Sequence, residues 1–210
     1  MREVFGNGIL VTCDSPSGWG LTMTGFTHPV PLLNATSGAP LPDISGFKDR
    51  CLRVNGVLPR ESGTLSSPAF HPLELQEEAN GSGPTQLIAL ISGNLGDAPS
   101  SDIERGDELI ATDRVRATLC FYSPPGKGKG SWIRISGRKP SSFFELLTSF
   151  EKGTSIVVGG TFEEYEWQER LLYRIDCRAL SRLRTPSAAP QATAVLNLER
   201  PTDDLEPEGF

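Results

Sequence analysis

From Val115 to Tyr122 the side chains alternate. In an extended chain Val115, Ala117, Leu119 and Phe121 share one face, while Arg116, Thr118, Cys120 and Tyr122 take the other. PPGKGKG (124–130) then reads as a glycine-rich hairpin loop, and SWIRIS (131–136) alternates again. Ile133 and Ile135 turn inward, with Trp132, Arg134 and Ser136 outward. Two period-two runs joined by a short loop commit this part of the chain to an antiparallel sheet, and the rest must fit around it.

The flanking segments extend the pattern. QLIALISG (86–93) is almost wholly apolar, as expected for a strand buried on both faces, and DELIATDRVRATLCFY (107–122) follows. After SWIRIS, Phe143, Leu146, Leu147 and Phe150 fall at i, i+3, i+4 and i+7, which predicts a one-sided helix of about three turns. Ser142 and Glu145 form a capping box, and Gly153 ends the helix. TSIVVGGTFEEYEW (154–167) and RLLYRIDCRALSRL (170–183) complete a hairpin, with Leu171, Tyr173, Ile175, Cys177 and Ala179 on one face. Three strands, a helix and two strands is the order of the OB-fold, an all-β, five-stranded Greek-key barrel with one helix.

Residues 1–80 show short strand-like runs, GILVTC, WGLTMTG, CLRVNGVL and HPLELQE, separated by Pro/Gly-rich turns. CLRVNGVL (51–58) parallels SIVVGGTF (155–162), so this smaller β domain reads as a second, diverged OB-like barrel with Trp19 in its core. The expected division is 1–80, then 85–184 after the ANGSGPT cluster (79–85), then a disordered acidic tail at 185–210.

Charge is unevenly spread. The chain carries a net −6, but residues 85–184 hold 14 basic and 13 acidic side chains, so the middle is close to neutral and rich in arginine. The global sign argues against a strong basic footprint, although local faces matter more than totals. Cys13, Cys51, Cys120 and Cys177 never form a close pair, which argues against zinc, and three of them sit in apolar runs as small hydrophobes. His28 and His71 lie in turn-like sequence with no second catalytic motif. No stretch approaches the roughly 20 apolar residues of a membrane span. The expectation is a cytoplasmic protein with no membrane association, no metal and no cofactor.

SGNLGDAP (92–99) resembles the signature that ends the first strand of bacterial single-stranded DNA-binding proteins. WIRISGRKPSSFFELLTSFEKGTSIVVGGTFEEYEW (132–167) is similar to the core pattern of that family: a Trp-led strand, a Gly-Lys turn, a helix ending in KG, a glycine-ended strand, and a second Trp seven residues on. The resemblance covers about residues 85–184. It implies a non-enzymatic protein that stacks bases on Trp132 and Trp167, with Tyr122 the nearest substitute for a third aromatic. Departures are Ser136 where the family has an aromatic, and Glu163, Glu164 and Glu166 where it has basic residues.

Physical chemistry supports the same side chains. An aromatic face stacks any base for roughly 1–3 kcal/mol, and guanidinium groups neutralise or stack beside it. The candidate nucleic-acid contacts are therefore Trp132, Arg134, Trp167, Tyr122, Lys127, Lys129, Arg138, Lys139, Arg116 and Arg174. In the alternative reading Trp132 caps the barrel and Arg134 sits in a surface ion pair. The terminal DDLEPEGF resembles the family's acidic tip, which implies that Asp203, Asp204, Glu206, Glu208 and Phe210 recruit replication and repair proteins.

The expected function is single-stranded DNA binding in replication, recombination or repair, by a homo-oligomer (dimer or tetramer). The rival is a replication- or repair-associated OB-fold interaction module that binds nucleic acid weakly or not at all. A nuclease using Asp97, Glu163 or Glu166 is a third class, for which spacing offers no convergent carboxylate cluster.

Overall fold

The computed structural model describes residues 1–210 apart from 61–62, 66–67, 79–82, 106–107, 123–129, 168–169 and 184–210, and apart from the side chains of 63–64, 102–105, 108–110, 167 and 170. Its strands are β1 (Arg2–Thr12), β2 (Trp19–Thr22), β3 (Val30–Pro31), β4 (Cys51–Val57), β5 (Gly63–Thr64), β6 (His71–Glu77), β7 (Ile88–Leu95), β8 (Ser100–Arg105), β9 (Glu108–Tyr122), β10 (Ser131–Arg138), β11 (Ser155–Trp167) and β12 (Arg170–Arg182). Helix α1 (Ser142–Thr148) lies between β10 and β11.

In the second half β7 pairs with β9, β9 with β10, β10 with β12, β12 with β11, and β11 with β7. The ring is closed. Its β10–β12 pair is parallel and all the others are antiparallel, which is the OB-fold order with α1 at the expected place. Val115, Leu119, Ile133, Ile135, Ile156, Val158, Phe162 and Ile175 fill the interior, each at most 1% exposed. The alternation read from β9 and β10 is thus the alternation of the fold. Gly93 permits the closure: a Cβ there would meet the Cys120 carbonyl oxygen of β9 at 2.1 Å.

The first half repeats the order, with β2, β3, β4 and β6 shorter than their counterparts. β1 pairs with β2 and β4, β2 with β3, and β4 with β6. A parallel bridge between Leu32 and Phe70 closes the ring from the β3 side to the β6 side. A 3-10 turn at Ser45–Phe47 stands where the other barrel has its helix. Trp19 packs partly buried against the core. The first strands of the two barrels, β1 and β7, pair antiparallel from Arg2 opposite Ile91 to Phe5 opposite Ile88, and one hydrophobic core runs through both. The described end of the expected boundary is stitched to the first barrel, Thr85 N–H donating to the Asn7 carbonyl at 2.8 Å.

Several expectations change. β8 and the start of β9 form a hairpin beyond the barrel, an addition to the five-strand order. β7 alternates between buried Ala89 and Ile91 and half-buried Ile88 and Leu90, so it is not sealed on both faces. The helix is N-capped by Ser141, not Ser142, its hydroxyl accepting from Phe144 N–H at 3.1 Å. It buries Phe144 and Leu147 and leaves Leu146 at 39% exposure, so the inward face is rotated from the predicted stripe.

On β12 the alternation flips. The register passes from Gly160 opposite Cys177 to Gly159 opposite Ala179, leaving Arg178 as an extra residue. Such a bulge exchanges the faces beyond it; Ala179 is exposed and Leu180 packs on the core. Of the cysteines only Cys177 is buried, the other three being half-exposed. Burial, and to a lesser degree Asp176, pushes the Cys177 thiol up to about 12, so it stays protonated as a core side chain.

Candidate nucleic-acid interface

The outward face of β9, β10, β12 and β11 forms an open groove of about 650 Å³. Strand register builds it in rows. Arg134 of β10 lies opposite Thr118 on one side and Arg174 on the other, and Arg174 lies opposite Glu163. One row along, Ser136 lies opposite Arg116 and Asp176, and Asp176 lies opposite Thr161. Four arginines, Arg114, Arg116, Arg134 and Arg174, line the groove with Tyr165.

These four are of two kinds. Arg114 is 9% exposed and reaches across the sheet, donating to the Ser136 hydroxyl at 3.1 Å and to Asp176 at 2.9 Å. Its Nη1 also lies 3.7 Å from Glu163 Oε1. Arg174 donates from Nε to that same oxygen at 2.6 Å and lies 4.3 Å over the Tyr165 ring. Both are held by carboxylates.

Arg116 and Arg134 form no ion pair among the described residues. Arg116 donates to Thr112 Oγ1 at 2.9 Å, and burial, followed by the like charges of Arg174 and Arg114, lowers its pKa. Arg134 lies 3.5 Å from the Tyr165 hydroxyl as donor. Tyr165 therefore has a cation against its ring and another at its hydroxyl, an arrangement that fixes its plane within the groove. A half-buried aromatic beside two guanidiniums that form no ion pair among the described residues can take a flat base and a phosphate together.

Trp132 extends the face beyond Arg134. It is half-buried, and its six-membered ring rests on Gly96: a Cβ there would meet Cζ3 at 2.2 Å. The glycine of the SGNLG segment is the space that this indole occupies. Asp97 next to it is engaged, accepting from the Thr118 N–H at 2.7 Å and the Thr118 hydroxyl at 3.0 Å.

The other candidate residues fall differently. One side of the Tyr122 ring is taken by Arg60 of the first barrel, its guanidinium 4.8 Å from the centroid. The β4–β6 connection brings Arg60 there, and its Thr64 pairs with Trp132 through β5. Arg138 and Lys139 do not line the groove: Arg138 bridges Asp113 at 3.7 Å, and the Lys139 ammonium lies 4.6 Å over Phe144. Lys127, Lys129, the Trp167 side chain, Asp203, Asp204, Glu206, Glu208 and Phe210 lie outside the described residues.

The acidic stretch is partly engaged, with Glu166 exposed at the groove. Glu163 holds arginines, and Glu164 accepts from the Thr27 hydroxyl of the first barrel. Arg114 carries no local signal of its role, because its partner Asp176 is 62 residues away. Tyr165, which the sequence offers with Trp167 as a base contact weighed about evenly against packing, lies in the groove lining.

No protein-family model and no curated protein sequence matches the chain. Among solved structures, a deletion mutant of the single-stranded DNA binding protein from Thermus aquaticus aligns with TM-score 0.58 at 13% identity, covering 91% of this chain and 98% of that one. The wild-type Thermus aquaticus protein aligns with TM-score 0.54 at 16% identity, covering 90% and 96%. Coverage of that extent takes in both barrels. The chain has the fold of those proteins, an all-β chain of OB type.

Proposed function

We propose that the protein binds single-stranded DNA along the β9–β10–β12–β11 groove, as a non-enzymatic partner of exposed strands in replication, recombination or repair. The carrying observation is the pair of guanidiniums that form no ion pair among the described residues, Arg116 and Arg134, lining the groove with Tyr165. Phosphates meet those arginines, bases stack on Tyr165, and Trp132 continues the path at one end. The similarity of fold to the Thermus aquaticus proteins supports the same reading.

Within this proposal residues 1–80 and 85–184 are the two barrels of a cytoplasmic homo-oligomer, and 185–210 is a tail whose acidic tip recruits replication and repair proteins. Trp167, Lys127 and Lys129 remain proposed contacts of the same strand. Arg138 and Lys139 act at most on its flank, as their positions outside the groove require.

Titration with poly-dT tests the proposal, read by tryptophan fluorescence, since the chain has three tryptophans. Quenching at low salt that reverses as salt is added is the expected result, because phosphate contacts release counterions. Unchanged emission at low salt would remove the proposal.

The interaction-module reading keeps one observation in its favour. Arg114 and Arg174 are already neutralised by the protein's own carboxylates, which lowers the positive potential of the groove.

A further inference from the structure

Two of the guanidiniums that line the groove converge on a single oxygen beside it. Glu163 Oε1 lies 2.6 Å from Arg174 Nε and 3.7 Å from Arg114 Nη1. An anionic oxygen held between guanidinium N–H groups is what a phosphodiester presents to a nucleic-acid site. Here the oxygen belongs to the protein.

Glu163 is also open enough to leave. Its side chain is 28% exposed, against 15% for Arg174 and 10% for Arg114. Arg114 keeps Asp176 and Ser136 if Glu163 swings away, so its buried charge stays compensated. Arg174 does not: its other described contact is the Tyr165 ring, which leaves it free to accept a phosphate.

We infer that Glu163 sets the affinity of the groove by occupying the phosphate position on Arg174. Resting on the proposed DNA-binding reading, this divides the arginines by role. Arg116 and Arg134 meet phosphate directly, Arg174 does so only when Glu163 is displaced, and Arg114 holds the floor in place. A carboxylate facing an incoming phosphate is a like-charge contact, which opposes binding. The residue that departs from the family's basic pattern thereby limits affinity through a defined ion pair rather than through diffuse repulsion.

The test compares the intact chain with Glu163→Gln and Glu163→Ala, each checked for folding by circular dichroism and titrated with a dT oligomer over a salt series. Glutamine keeps the volume and an acceptor for Arg174 without the charge; alanine removes both, giving a second variant should one fail to fold. The inference expects binding about ten-fold tighter and a plot of log affinity against log salt steeper by about 0.7, the increment for one further phosphate on a single strand.

Wild-type binding with unchanged or weaker binding by the folded variants would overturn the inference and leave the proposed function standing. Tighter binding by the folded variants than by wild type, with the steeper salt slope, would support it. Silence from all three would overturn both.

Discussion

Arg114 and Arg116 lie on the same face of β9, and their side chains are identical; their neighbours separate them. Arg114 is a buried donor to Asp176 and Ser136, whereas Arg116 has no ion pair among the described residues. Removing one partner of a buried pair strands the other charge, at about 3–5 kcal/mol. Because Asp176 also meets Arg178 at 3.4 Å, Arg114→Ala should fall near the lower end, about 3 kcal/mol. Arg116→Ala should change stability by no more than about 0.5 kcal/mol. Urea unfolding of the two variants checks this, and equal losses would contradict the division of roles. Alternation in the sequence placed Arg116, Arg134 and Trp132 on one face correctly. It could not distinguish a floor arginine from a free one, because the distinguishing carboxylates come from other strands.

At the level of elements, pattern located each strand of the second barrel but not its irregularities. The bulge at Arg178 leaves no mark in the local sequence, since it arises from pairing with Gly159 and Gly160 of β11. Helix α1 is legible as a helix, but its cap lies one position earlier and it ends at Thr148, about two turns and well short of Gly153. Consecutive serines offer two equivalent caps, and the geometry selects Ser141, whose extended backbone turns its hydroxyl to Phe144 N–H. Ser141→Ala should therefore cost about 1 kcal/mol, while Ser142→Ala, at the first helical position, should be neutral or stabilising by a few tenths, because alanine has the higher helix propensity. Thermal or urea midpoints of the pair would show the ordering, and a larger loss at Ser142 would refute the assigned cap.

For the whole molecule, the two barrels share a core and a ladder between their first strands, β1 and β7. The first barrel was only partly legible because β2 and β3 are four and two residues long, too short for an alternation to declare itself. Its closure rests on the single Leu32–Phe70 bridge, a long-range pairing that no local pattern encodes. The reach of its β4–β6 connection to Trp132 and Tyr122 was equally invisible, and it is what covers one side of Tyr122.

The most direct measurement of where a strand lies is binding of a fluorescent dT oligomer to the intact chain and to an Arg116→Ala/Arg134→Ala double variant across a salt series. The account predicts much weaker binding and a salt slope shallower by about 1.4, two phosphates at about 0.7 each, with the fold unchanged by circular dichroism. Equal affinity and equal slope for the two proteins would contradict it, because the strand would then have to run elsewhere.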